Sequence, residues 1–405
     1  MSAMRPIRET IPLSDALGLL LTGAQPIART ERVTLDAASG RVVSQPVLAR
    51  VDVPPFDRAA MDGYAVVAND TFGATRGEPR VLTRTETIYT GDKPGLTLKP
   101  GECIEIATGA PVPAGADAVV MVEETDRAGT DRVAFFTPVY PGQNIGRRAA
   151  DITAGQVIVG DGERLNPSRV GALAATGLLE VDVFARPRVA IISTGNEIVD
   201  PGQPLAPGQI YDINRYTLSA VVSEHGGIAL PLRTAADDLA ALNAALDQTR
   251  DADIVVFSGG SSVGERDLVL DAIRDRGDVV FHGIAVKPGK PTAFGHVDGR
   301  PVLGMPGYPT SCLSNAYILL VPLLRRIARL PEHQPRTAHL PLGRRIVSPT
   351  GRHQFYTVRI ADGTAVPAFK ASGDITSMSR ADGYIEIPTH TDIVDAGEVV
   401  QVTFF

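Results

Sequence analysis

The sequence predicts an α/β chain with β-rich parts on either side, and three observations carry that reading. Between 186 and 330, short apolar runs alternate with helix-like segments, the pattern of a parallel sheet wrapped by helices. From about 33 to 145, short Val, Ile and Thr runs are punctuated by Pro and Gly, which indicates a β-rich domain. From about 338 to 405 the chain is again strand-like with Gly turns, so a small β domain ends it.

Residues 13 to 23, "LSDALGLLLTG", read as a short helix with Ser14 as N-cap and Gly23 as its stop. A polar elbow, "PGQNIGRRAADI", closes the first β-rich part. Residues 163 to 177 follow as a helix, with Asn166 capping and Pro167 at the first helical position, where a missing N–H costs nothing. In the α/β part the expected order is "RVAIIST", a helix over 212 to 225, "IALPLR", a helix over 237 to 250, "DIVVFSG", a helix over 267 to 276, and "VVFHGIAV". "RPVLGMPG" and a long helix complete it, and "RLPEHQPRTAH" has linker composition.

With 405 residues and 44% apolar content the chain is long enough for several cores. A net charge of -7 argues against nucleic acid or an anionic membrane as partner, because both need a basic field. Cys103 and Cys312 lie far apart and outside any C-x-x-C spacing, so both are expected to be buried small apolar residues. "MSAMRPIRET" lacks the apolar core of a signal peptide, and a cytoplasmic location is expected. No histidine pair has the H-x-x-x-H spacing of a catalytic zinc site.

Ligands of an open parallel sheet bind beyond the carboxyl ends of its strands. Five successive loops at such positions carry Gly, carboxylates or lysines: "STGNE" with Glu197, "RTAADD" with Asp237 and Asp238, "SGGSSVGERD", "KPGKP" with Lys287 and Lys290, and "MPGYP". Gly-rich turns offer backbone N–H groups to an anion, lysines add positive charge, and carboxylates hold Mg²⁺ over phosphate oxygens. The set suits a phosphate-bearing substrate with a metal. Each residue also has a plainer role: Glu197 beside a helix dipole, Asp237 or Asp238 as an N-cap, Asp267 as a helix-start residue. No G-x-G-x-x-G or P-loop is present, but "GSSVG" satisfies G-x-S-x-G, which leaves a hydrolase with Ser262 as nucleophile as a rival. In the first half, "PPFDRAAMDGYAV" sets Asp57, Arg58 and Asp62 around a bend. "ATGAPVPAGADAVVMVEE" packs Gly and Pro around Thr108, and "NIGRRAADI" clusters Arg147, Arg148 and Asp151.

These stretches, in this order, resemble the molybdopterin molybdenumtransferases, the MoeA family, which is also similar to the gephyrin E domain. The resemblance spans nearly the whole chain. It implies a discontinuous connector (1–45 and 152–185), an inserted β-rich domain (46–151), a molybdopterin-binding α/β domain (186–330) and a C-terminal β barrel (331–405). It also implies a homodimer whose cleft joins the α/β domain of one subunit to the inserted domain of the other. The implied reaction takes adenylylated molybdopterin and molybdate, uses Mg²⁺, releases AMP, and leaves a cofactor for molybdenum enzymes.

By position, the implied functional acids are Asp62, Asp151, Glu197, Asp237 and Asp267, with Lys287. Glu197, Asp237 and Asp267 are the implied metal ligands. Substrate contacts fall on Thr108, Gly259, Gly260, Ser261, Ser262, Gly264, Lys290, Pro306, Gly307 and Ser377. Within that picture Gly259 to Ser262 cradle a phosphate and Asp267 faces the metal or substrate. Adenylyl transfer to molybdopterin and a non-catalytic scaffold stand as further alternatives.

Overall fold

In the computed structural model, which describes residues 9–259, 267–348 and 351–405, Glu31–Val183 form one compact unit and the rest of the chain forms another. The second of these begins with helix α1, Leu13–Thr22. Its N-cap is Pro12, not Ser14. Pro12 is extended and its carbonyl already accepts from the Ala16 amide (3.1 Å), while Ser14 lies inside the helix and donates to Asp15 (3.0 Å). Gly23 does stop the helix, with its amide on the Leu19 carbonyl.

The unit of residues 31–183 is built on a six-stranded sheet. Its strands are β1 Gly63–Val66, β2 Arg80–Ile88, β3 Glu102–Ile106, β4 Ala118–Met121, β5 Thr125–Arg127 and β6 Arg132–Phe135, in the order β4-β1-β3-β2-β6-β5. Side chains alternate between faces along a strand, and both faces are covered. Tyr64, Val66, Cys103, Val120 and Phe135 pack on one side, and Ala65, Ile104, Ile106 and Val119 on the other. Cys103 is wholly buried, which pushes its thiol up to about 12 and makes it a core residue. Helix α2, Pro167–Ala175, closes this unit. Asn166 caps it by accepting from the Arg169 amide (2.8 Å), with Pro167 at the first turn.

The remaining unit holds the α/β sheet. In chain order its elements are β7 Arg188–Ser193, α3 Asn214–Glu224, β8 Ile228–Pro231, α4 Leu239–Asp247, β9 Ile254–Ser258, α5 Leu268–Arg276, β10 Gly277–His282, β11 Val286–Lys287, β12 Ala293–Val297 and β13 Arg300–Met305. The sheet order is β8-β7-β9-β13-β12-β10. It is mixed, where the alternation of elements predicts a parallel sheet. β12 runs against both β13 and β10, because Asp298 and Gly299, both at positive φ, make a tight hairpin into β13. β10 is therefore parallel to β7, β8, β9 and β13, and the loops after these five strands all open on one edge.

The apolar strands are buried from both sides, by Leu218, Val222, Leu320 and Leu324 on one face and by Leu242, Leu246, Val269 and Ile273 on the other. After β13 come α6, Pro309–Asn315, a π turn over Ala316–Leu320, and α7, Val321–Ile327. The wide turn leads into Pro322, whose ring and missing N–H are incompatible with regular α bonding there. No helix among the described residues is long and apolar enough to cross a membrane.

The C-terminal strands are β14 Thr337–Pro341, β15 His353–Ala361, β16 Thr364–Pro367, β17 Gly383–Ile387 and β18 Val399–Phe404. They form a sheet ordered β11-β15-β17-β18-β14, with β16 on β15. A single bridge, Leu342 to Ala365, links the far end of this path back to β16.

Candidate active site

At the edge where the five loops open, the backbone is drawn together by contacts only glycine permits. Gly259 follows β9 at φ +99°, and a Cβ there would stand 2.7 Å from the Thr194 carbonyl oxygen. Gly259 donates to the Met305 carbonyl (3.1 Å), Thr194 to Ser258 (3.0 Å), and Ala235 to Ser193 (2.9 Å). A Cβ on Gly307 would lie 3.4 Å from the Cα of Gly259. The loops after β7, β8, β9 and β13 are thus one hydrogen-bonded floor. Ser193 Oγ and Thr194 Oγ1 are buried in it without a hydrogen-bond partner among the described residues.

Glu197 and Asp237 stand over this floor. Gly195, at φ +139°, lets Glu197 fold back, since a Cβ there would be 2.7 Å from the carboxylate. The Asp237 amide approaches Asn196 Oδ1 at 3.4 Å. Asp237 titrates above the usual carboxylate range, first because the crevice desolvates it and then because of the Glu197 charge. The neighbouring Asp238 supplies the N-cap of α4, accepting from the Ala241 amide (2.7 Å), so Asp237 is spared that role.

Lys287 and Lys290 flank Gly289, whose carbonyl accepts from Asn315 Nδ2 (3.0 Å) and Thr292 Oγ1 (2.8 Å). A Cβ on Gly289 would collide with Asn315 Oδ1 at 2.3 Å. Lys287 is further fixed because β11 pairs in parallel with the start of β15. Asn214 Nδ2 donates to the Gly307 carbonyl (2.8 Å) and sets the Pro306–Gly307 turn. Asn214 and Asn315 are both absent from the sequence-based expectation. Their only sequence signal is an amide inside otherwise apolar helix patterns, "YDIN" and "SNAYILL".

Asp267 is the N-cap of α5: one carboxylate oxygen accepts from the Leu270 amide (3.0 Å) and the other lies 3.1 Å from His282 Nε2. Glu197, Asp237 and Asp267 consequently do not form one metal-binding group, and no cluster of three or more His, Cys, Asp or Glu positioned for a metal occurs among the described residues. Mg²⁺ is ordinarily held by one or two carboxylates together with substrate phosphates, and the Glu197–Asp237 pair fits that demand. Gly260, Ser261, Ser262 and Gly264 lie outside the described residues. Ser377 is fully buried, its hydroxyl accepting from the Lys370 amide (3.0 Å) within its own turn.

In the unit of residues 31–183, the three singled-out stretches are hydrogen-bonded to one another. Ala59 donates to Ala110 (2.9 Å), Ala60 to Asn144 (2.8 Å), and Asp151 to Val53 (3.0 Å). Asp62 accepts from the Thr108 amide (2.7 Å). Asp57 accepts from the Arg148 amide (2.8 Å) and from Arg147 Nη1 (2.7 Å), and Asp52 from the Ala154 amide (2.9 Å) and Arg148 Nε (2.6 Å). All three carboxyls are held below the usual range, in each case first by the backbone donor. Asp151 is exposed beside this network.

An α/β sheet with a glycine floor, an acidic pair and a fixed lysine loop at one edge defines a candidate ligand-binding domain. The particular family follows from comparison with known proteins. The MoeA N-terminal region (domains I and II) matches residues 11–177, a probable molybdopterin-binding domain residues 190–326, and the MoeA C-terminal region (domain IV) residues 339–405. Molybdopterin molybdenumtransferase 2 of Mycobacterium tuberculosis is 38% identical, over 99% of this chain and 96% of its own length. The molybdopterin molybdenumtransferase of Haemophilus influenzae is 31% identical, over 93% and 94% respectively. A crystal structure of a molybdopterin biosynthesis MoeA protein from Pyrococcus horikoshii superposes with a TM-score of 0.84 at 40% identity, covering 98% of this chain and 99% of that one. The chain belongs to the MoeA family.

Proposed function

We propose that this protein inserts molybdenum from molybdate into adenylylated molybdopterin with release of AMP, in molybdenum-cofactor biosynthesis. The observation that carries the reading is the desolvated acidic pair Glu197–Asp237 facing the same strand-end edge as the lysine loop, in a chain matched end to end by molybdenumtransferases. Lys287 and Lys290 take up charge on the phosphate oxygens, and the amide of Gly259 contributes a donor. Glu197 and Asp237 are the residues that would hold Mg²⁺, which supplies charge neutralisation at the anhydride. This is positioning and electrostatics with no covalent nucleophile. Neither an adenylyltransferase, a serine hydrolase nor a scaffold is favoured by the relatives' names.

Further parts of the proposal are a four-domain division (1–45 with 152–185, 46–151, 186–330, 331–405) and a cytoplasmic homodimer. In it the α/β domain of one subunit works with Asp62, Thr108 and Asp151 of the other, and the finished cofactor passes to molybdenum enzymes. Incubation with adenylylated molybdopterin, Mg²⁺ and molybdate should yield AMP in step with molybdenum bound to the pterin dithiolene. Failure to release AMP under these conditions rejects the reading.

A further inference from the structure

Strand β13 lies between β9 and β12, with Ser258 opposite Met305 and Ala293 opposite Gly304. The chain leaving β13 therefore has the Gly259 turn on one side and the end of the lysine loop on the other. Gly307 comes close enough to Gly259 that a Cβ would have only 3.4 Å, and its carbonyl is held by Asn214 Nδ2 (2.8 Å). Tyr308 is next. Pro309 keeps it extended, at φ -64° and ψ 126°, and its carbonyl accepts from the Cys312 amide (2.8 Å) as α6 begins. Thr310 is tied in turn to the Ser372 carbonyl through its amide (3.1 Å) and to the Asp374 carbonyl through its hydroxyl (2.9 Å). The backbone that carries Tyr308 is thus fixed on both sides.

The side chain is not. Tyr308 is 67% exposed, and its ring makes no hydrogen bond, ion pair or ring contact with any described residue. Tyr64, Tyr140, Tyr317 and Tyr384, by contrast, pack on other rings, and Tyr216 lies against the Arg215 guanidinium. A lone exposed ring carries no meaning by itself; the place of this one does. It stands at the rim between the glycine floor and the lysines, so its flat face is open to any ring that a phosphate bound there carries.

We propose that Tyr308 determines specificity at this edge by stacking on a planar heteroaromatic ring attached to the bound phosphate. The proposal rests on the function given above, whose substrate has two such rings, adenine and pterin, on either side of its anhydride. Stacking on an aromatic side chain is worth about tenfold in affinity or more, and it tolerates any flat base because it needs only the π-face.

The test uses the full chain with Tyr308→Phe and Tyr308→Leu. The side chain makes no cap bond and is exposed, so both variants should melt as the wild type does. Calorimetry with Mg²⁺ present measures AMP, molybdopterin and ribose 5-phosphate, the last being a phosphate without a flat ring. Tyr308→Leu should weaken a ring-bearing ligand by about tenfold and leave ribose 5-phosphate unchanged, while Tyr308→Phe should bind like wild type. A loss for AMP places adenine on Tyr308, and a loss for molybdopterin places the pterin there. In turnover, KM for adenylylated molybdopterin should rise in Tyr308→Leu with kcat nearly unchanged, the mark of lost uniform binding. The Tyr308 ring protons, assigned by comparison with Tyr308→Phe, should move upfield in NMR spectra with the stacking ligand and stay in place with ribose 5-phosphate.

Wild-type affinity of Tyr308→Leu for both ring-bearing ligands, an equal loss in Tyr308→Phe, or an equal loss for ribose 5-phosphate would overturn the proposal. A wild-type protein that binds these ligands but releases no AMP from adenylylated molybdopterin would sink the functional reading, and the binding arm still decides on Tyr308. Wild-type protein that binds neither AMP nor molybdopterin sinks both.

Discussion

The carboxylates of the two units are the same chemical groups in opposite electrostatic states. In residues 31–183, Asp52, Asp57 and Asp62 are satisfied by backbone amides, two of them also by arginines, and all titrate below the ordinary range. In the strand-end crevice, Asp237 is desolvated beside Glu197 and titrates above it. The first arrangement spends charge on local structure and stabilises the fold at neutral pH. The second sets Asp237 in a desolvated place beside a like charge, with the Asn196 backbone only partly offsetting this, which costs stability and is relieved when a cation or a cation-bearing ligand arrives. Perturbations of that sign in a cleft are concentrated at working sites.

The comparison can be broken first at Asp237. Asp237→Asn keeps the shape and removes the charge, and AMP release should fall by about 100-fold or more, the usual scale for losing one electrostatic contact to a transition state. Stability should move the other way. Because the folded state holds the Asp237 proton more tightly than the unfolded state, stability declines as pH rises through the interval above the ordinary carboxylate pKa. The variant should therefore melt slightly higher than wild type at neutral pH, and the difference should vanish in acid. A variant that is both active and unchanged in melting would place Asp237 with the structural carboxylates.

Next in size is the floor beneath that pair. Gly259→Ala puts a Cβ 2.7 Å from a backbone oxygen at φ +99°, and thermal denaturation should show a loss of about 1–3 kcal/mol. A fully stable variant would mean that the loops are not drawn together as described. The smallest effect is expected at Asp57→Asn, which removes a half-exposed pair with Arg147. Double-mutant cycles with Arg147→Ala should give about 1 kcal/mol or less. Here the folded-state pKa is lowered, so the contribution is present above the ordinary carboxylate pKa and fades as pH falls through the depressed one.

Much of this was legible in the chain. Alternating strands and helices located the α/β unit, and "STGNE", "RTAADD" and "KPGKP" located the loops, because glycine and proline at strand ends have few other uses. The antiparallel β12 is absent from the sequence-based expectation, which places no strand between "VVFHGIAV" and "RPVLGMPG", although Asp298-Gly299 is a hairpin signal. Ser14 looked like a cap, but the extended Pro12 takes that place. Which of Asp237 and Asp238 caps α4 could not be read from adjacent identical residues; one residue of register decides it. Asn214 and Asn315 were invisible because each acts through a partner distant in sequence: Gly307 and Gly289.

The most direct measurement is a carboxyl ¹³C NMR titration of Asp237, assigned by its loss in Asp237→Asn, in the free protein and with Mg²⁺ and AMP. The account predicts an apparent pKa above the ordinary carboxylate range in the free protein, lowered in Glu197→Gln, and a fall by about one unit or more once Mg²⁺ and AMP bind, as expected when an opposite charge comes within a few ångströms. An ordinary value that neither Glu197→Gln nor the ligands move would contradict it.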